Sequence, residues 1–201
     1  DSKDGVLGIS IVRLGVDNIL NTTQMIDSEG NIDYDKISKF STSDYAGIIS
    51  YAFRPGGNQK LSVGINAKIV YRNIGKFANG FGFGFDVGTI YRAESGYQFG
   101  AMLRDATTTV NFWSINQKEL SAVVNGEEFN PAPKDKMEIT MPKLNLGVSK
   151  NFEINRDLEL LPEAGLNVDF AKTAAVISTD FASISPYLGA ELSFQKMIFV
   201  R

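Results

Sequence analysis

The chain has 201 residues, a net charge of -3, and neither cysteine nor histidine. These absences exclude disulfides and thiolate metal sites and remove the commonest general base and metal ligand; no cofactor is expected. The acidic balance argues against a nucleic-acid partner, whose phosphates demand a basic face.

Hydrophobic residues make up 43% of the chain and the mean hydropathy is -0.08. No stretch approaches the ~20 consecutive apolar residues of a spanning helix. A membrane barrel needs only every second residue to be apolar, so middling hydropathy suits it, and suits a soluble β-protein too. Asp1 opens a polar tetrapeptide with no signal peptide. The chain is therefore expected to be a mature form or a piece of a longer one.

Taken in chain order, Val6–Val16 alternates weakly. A long connection is expected from Asp17 to Ser43. Its acidic run Asp27-Ser28-Glu29-Gly30-Asn31-Ile32-Asp33-Tyr34-Asp35 lacks the spacing of a calcium loop and reads as solvated. In Asp44–Arg54, Tyr45, Ile49, Tyr51 and Phe53 oppose Asp44, Ser50 and Arg54. PGGNQ follows as a short turn.

Lys60–Arg72 is the clearest strand. Leu61, Val63, Ile65, Ala67, Ile69 and Tyr71 form one face; Ser62, Gly64, Asn66, Lys68 and Arg72 form the other. Such period-two patterning predicts a strand with one oily and one wet face. A longer connection is expected over Asn73–Asn79.

In Gly80–Arg92, Phe81, Phe83, Phe85, Val87 and Tyr91 oppose Gly80, Gly82, Gly84, Asp86, Gly88 and Arg92. Bulk on one face with glycine or charge on the other suits a crowded barrel interior better than a soluble sandwich. The alternating phenylalanines make the glycines strand residues, not a phosphate-binding loop.

Gln98–Arg104 and Ile139–Lys150 are weaker strands, with a bulge or edge expected at Pro142. The segment Asp105–Glu138 between them reads as a long loop. Trp113 and Phe129 within it are the candidates for contact with a partner. In Leu158–Phe170, Leu158, Leu160, Ala164, Leu166, Val168 and Phe170 oppose Glu159, Glu163, Asn167 and Asp169. In Ile184–Phe194, Leu188, Ala190, Leu192 and Phe194 oppose Glu191 and Ser193.

The long strands and the connections point the same way. Thirteen residues at ~3.3 Å, tilted by ~40°, rise roughly 33 Å, enough for a bilayer core. Short turns (55–59, 93–97, 151–157, 195–197) alternate with longer connections (17–43, 73–79, 105–138, 171–183), as periplasmic turns alternate with extracellular loops in outer-membrane barrels. Tyr45, Tyr71, Tyr91 and Tyr187 near strand ends suit an interfacial girdle.

The expected fold is therefore all-β, an antiparallel transmembrane barrel forming one domain over 1–201. Its lumen-facing polar candidates are Asn66, Lys68, Arg72, Asp86, Arg92, Arg104, Glu163, Asn167, Asp169 and Glu191. Its lipid-facing candidates are Leu61, Val63, Ile65, Ile69, Phe81, Phe83, Phe85, Leu166, Val168 and Leu192. A soluble β-sandwich or lipocalin-like binder is the remaining alternative.

The stretch 61–105 resembles the PorV/PorQ family, relatives of the FadL-type outer-membrane transporters. The likeness lies in Val63-Gly64 with Lys68, then Asp86-Val87-Gly88-Thr89-Ile90-Tyr91, then Gly100 with Arg104-Asp105, and finally MPKLNLGVSKNF over 141–152. The Asn-Pro-Ala-Gly opening segment typical of these families is missing; Asn130-Pro131-Ala132-Pro133 lies in a loop. About eight strands fit the chain, fewer than a FadL-like barrel holds, so it reads as part of a barrel truncated at both ends, or as a divergent small barrel.

The resemblance implies a non-enzymatic component in the bacterial outer membrane. Its partners would be membrane lipid, secreted cargo proteins and other subunits of a type IX secretion system. FadL kinship implies the alternative, passage of hydrophobic small molecules.

Overall fold

The computed structural model describes residues 5–27, 29–124, 127–129, 133 and 136–201, with the backbone alone given over 122–124 and 127–129. The protein is all-β. Its strands are β1 (Val6–Asn21), β2 (Ser38–Phe53), β3 (Leu61–Ile74), β4 (Ala78–Arg92), β5 (Tyr97–Arg104), β6 (Thr109–Ile115), β7 (Ala122–Val124), β8 (Glu127–Phe129), β9 (Met137–Thr140), β10 (Lys143–Lys150), β11 (Phe152–Glu153), β12 (Leu158–Asp169), β13 (Ile177–Ser178), β14 (Ser183–Phe194) and β15 (Ile198–Val200). No described helix is long and apolar enough to cross a membrane, which says nothing about crossing by strands.

One antiparallel sheet runs β1-β2-β3-β4-β5-β10-β12-β14, with β7 and β8 forming a separate hairpin. The sheet is open: β1 pairs with β2 alone among the described strands. Most strands that follow one another in the chain pair as antiparallel hairpins, some closed by tight turns and others by longer excursions.

Two of the long strands are interrupted. Val87 faces Leu103 and Phe83 faces Val110, so three residues of β4 oppose six residues of the β5–β6 strand. The surplus is taken up at Asp105–Thr108, where Asp105 (φ 52°) and Thr108 (φ 65°) are left-handed. A β-branched residue in that region is strained, so its neighbours must hold it there. On the partner strand, β9 and β10 break at Met141–Pro142, since proline cannot donate to the ladder.

The loop expected over 105–138 is thus corrected. Residues 109–115 and 137–140 belong to the sheet, and Trp113 sits on a strand. The long connection expected at Asn73–Asn79 is corrected too: β3 and β4 pair as far as Ile74 and Ala78, leaving Gly75, Lys76 and Phe77 as a tight turn. Gly75 takes the left-handed φ of 51° that the turn needs. The alternation of short and long connections fails at this hairpin. It holds at the others, with long excursions over 22–37, 116–136 and 170–182 all at the same end of the sheet.

The two faces are inverted relative to a soluble sheet. Along β4, Gly80, Gly82, Gly84 and Asp86 are buried while Phe81, Phe83, Phe85 and Val87 are exposed; Phe85 is 46% exposed and Asp86 6%. Cross-strand register extends the apolar face in rows. One row is Ile9, Ile49, Ala67 and Phe85; another is Tyr51, Ile65, Val87, Leu103, Leu144, Val168 and Ile184. Among the described residues Phe77 is the one buried large hydrophobe, packed edge-on against Phe40 at 4.9 Å. The chain exposes 13,987 Å², whereas a compact soluble chain of this mass exposes about 9,300 Å². A sandwich or lipocalin would bury one face of each sheet; no second layer covers the apolar face among the described residues.

Candidate functional site

All ten polar candidates share one face. Pairing of Asn66 with Asp86, Glu163 with Gly189, and Asn167 with Ser185 and Asn145 fixes the parity across β3, β4, β10, β12 and β14. The ten apolar candidates share the opposite face, with Ile65, Ile69, Phe81, Phe83, Phe85, Leu166 and Leu192 exposed and Leu61, Val63 and Val168 half-buried.

The polar face is organised around Lys68. Its Nζ lies 2.7 Å from Asp86 Oδ1 and 2.5 Å from Asp105 Oδ1, with all three side chains largely buried. Asp86 also accepts the Asp105 N–H at 2.9 Å and a long contact from Asn66 Nδ2 at 3.5 Å. Thr109 donates its hydroxyl to Asp105. The strained Asp105–Thr108 segment is held by these bonds and by Ala106 N–H donating to Phe85 O at 2.7 Å.

A second cluster lies nearer the long-loop end. Arg72 reaches Asp44 Oδ2 and Glu138 Oε2, each at 3.3 Å, and its guanidinium sits 5.2 Å from the Trp113 ring. Trp113 Nε1 donates to the same Glu138 oxygen at 2.9 Å. Sequence reasoning placed Trp113 in a loop as a candidate for contact with a partner; it lies instead on β6, and its indole belongs to this network. Phe129 lies in β8, where its side chain falls outside the described residues.

The remaining polar candidates pair locally. Asn145 Nδ2 donates to Asn167 Oδ1 at 2.5 Å, Lys143 pairs with Asp169 at 2.8 Å, and Arg201 pairs with Glu191 at 2.5 Å. Tyr187 donates its hydroxyl to Glu163 at 3.0 Å. Tyr187 therefore does not belong to an aromatic girdle: pairing with Gly165 puts it on the polar face, opposite Leu188. Tyr45, Tyr71 and Tyr91 stay exposed on the apolar face. Arg92 and Arg104 make no side-chain ion pair among the described residues.

Glycine makes this crowding possible. A Cβ on Gly84 would strike Thr109 Oγ1, and one on Gly82 would strike Asn111 Oδ1. At Gly165 the obstacle is the carbonyl oxygen of Leu146 as well as the Tyr187 ring. Backbone in a paired strand has nowhere to retreat, so Gly165→Ala is expected to cost about 1–3 kcal/mol as an overpacking change. A denaturant midpoint equal to that of the parent would refute the crowding.

Two polar residues that sequence reasoning missed, Asp105 and Glu138, sit at opposite ends of the segment read as a loop. The acidic loop near residue 27 serves its own turn. Asp27 accepts from Asn31 N–H, Glu29 N–H and the Asn31 side chain, and the Asn31 bonds hold its carboxyl below the usual range. Among the described residues no acidic group is arranged to hold a metal ion.

A cavity of about 540 Å³ opens at the long-loop end. Leu20, Phe40, Ile74, Phe77, Trp113 and Met137 give it an apolar wall, with Glu138 at its side. No family model, curated protein or solved structure matches the chain. What the site offers is a buried lysine–aspartate cluster with further polar and charged groups on one face, a bare apolar surface on the other and an oily recess at one end.

Proposed function

We propose that the chain forms wall of a bacterial outer-membrane β-barrel and acts as a non-enzymatic binding and translocation component. The observation that carries this reading is the inversion of the sheet: phenylalanines stand exposed on one face while a lysine and two aspartates are buried on the other. Water does not select such a surface; contiguous apolar area of this extent marks a membrane or a partner.

The dimensions support lipid. Tyr71 lies beside Phe81, and ten residues on, Tyr91 marks the other end of β4's apolar face. At ~3.3 Å per residue and ~40° tilt that interval rises roughly 25 Å, the height of the apolar band of such barrels. By resemblance to PorV/PorQ, the role is receipt of type IX cargo and its hand-over to surface attachment partners.

A second reading, passage of hydrophobic small molecules, is favoured by the apolar recess around Phe40, Ile74, Phe77 and Trp113. Membrane fractionation decides the common premise: the native protein should resist aqueous extraction from the outer membrane, and release into the soluble fraction refutes it.

Deletion of the protein and titration of the recess then separate the two roles. Under the first, secreted cargo accumulates in the periplasm when the chain is deleted; normal surface attachment counts against it. Under the second, a brominated long-chain fatty acid quenches Trp113, the sole tryptophan. Emission unchanged at saturating ligand counts against that role.

A further inference from the structure

We propose that the apolar face carries a phospholipid site at its short-turn end, with an acyl chain in a surface depression and the lipid phosphate on Lys150. The inference rests on the membrane reading above and names a ligand for a surface that reading leaves uniform.

The depression measures about 760 Å³. It follows from side-chain size in one cross-strand row: Tyr91, Phe99, Val148, Ala164 and Leu188 stand side by side across five strands. Ala164 is the low point between Val148 and Leu188, and Leu188 projects from the surface at 86% exposure. The adjoining row adds Thr89 and Ala101, again small, before Leu146, Leu166 and Pro186. An acyl chain laid there lies against both rows of side chains, with Ala164 and Ala101 as the low points.

Charge complementarity chooses the occupant. The next row toward the strand ends pairs Tyr97 with Lys150. Alternation from Val148 puts Lys150 on the apolar face. Its Nζ stands 4.5 Å from the Tyr97 ring centroid and 5.4 Å from that of Phe152. Two other lysines at this end are neutralised, Lys60 by Glu94 and Lys196 by Glu159. Lys150 has no carboxylate partner among the described residues. The ring faces orient its ammonium without occupying its donors, which remain for an anionic oxygen. A cation one row beyond an apolar groove, at the level where a bilayer turns polar, matches a phosphodiester attached to an acyl chain. A hydrophobic helix from a partner would fill the groove but would leave the ammonium without a counter-ion.

The test uses the full chain reconstituted in phosphatidylethanolamine–phosphatidylglycerol vesicles, floated, extracted into mild detergent and weighed by native mass spectrometry. The parent protein should retain a phospholipid after washing. Lys150→Gln should retain it about fivefold less, the contribution of one basic residue at a lipid surface. Ala164→Phe, which fills the groove, should lose it, and Lys172→Gln, remote from the groove, should keep it. Equal retention by the parent and Lys150→Gln, or a bare protein throughout, overturns the site while flotation upholds the membrane reading. A parent protein that does not float overturns both.

Discussion

Lys68→Met is expected to destabilise the fold by about 3–5 kcal/mol, the cost of breaking a buried ion cluster from one side. The size of the effect follows from what remains. Asp86 and Asp105 are each within 2.7 Å of the ammonium and are 6% and 7% exposed. Without it, two carboxylates share a site with few donors, and the left-handed turn at Asp105 loses an anchor. An exposed pair such as Lys172–Asp180 gives the contrast: Lys172→Met should change stability by about 0–1 kcal/mol. Guanidinium unfolding in detergent micelles measures both. Combining Lys68→Met with Asp86→Asn and Asp105→Asn should recover most of the loss, because the uncompensated charges go too. A single variant with the parent's midpoint would show that the cluster is not structural.

The sequence made β3 and β4 legible because their period of two is long and nearly unbroken. From that alone the two faces could be drawn, and with them the nearness of Lys68 to Asp86, two residues along on the neighbouring strand's polar side. The other half of the cluster was hidden. Asp105 reaches Lys68 only because residues 105–108 bulge, and the bulge depends on left-handed angles at an aspartate and a threonine that no pattern of polarity announces. β6 was hidden in turn. It is short, it follows the bulge, and Trp113 puts a large aromatic on the polar face, where it breaks the alternation set by Val110 and Phe112. Glu138 went unnoticed with it, since its role is to hold Arg72 and Trp113. The error at Tyr187 had another origin: position near a strand end was weighed above parity, although Leu188, Ala190 and Leu192 already assigned odd-numbered residues of β14 to the other face. At Asn73–Asn79 the polar flanks suggested a loop, whereas Ile74 and Ala78 are still paired and Gly75 supplies the turn.

Arginine placed on the apolar face should cost more at mid-height than at its ends, and that gradient separates lipid from water. Phe85 lies near the midpoint between the Phe81 and Tyr91 levels. Phe85→Arg is expected to cost about 2–4 kcal/mol in a bilayer, and Tyr91→Arg about 0–1 kcal/mol. Both side chains are exposed to a similar degree, 46% and 43%, so neither substitution opens a cavity and packing loss is comparable. Were the face bathed in water, both changes would fall within about ±0.5 kcal/mol, as surface substitutions do. The measurement is equilibrium unfolding from phospholipid vesicles for the two variants beside the parent. Equal and small costs would remove the ground for a membrane wall. A steep difference would tie the exposed phenylalanines to a hydrocarbon interior, and would explain why a lysine and two aspartates are packed together behind them: with lipid on the outer side, charge has only the opposite face in which to find partners.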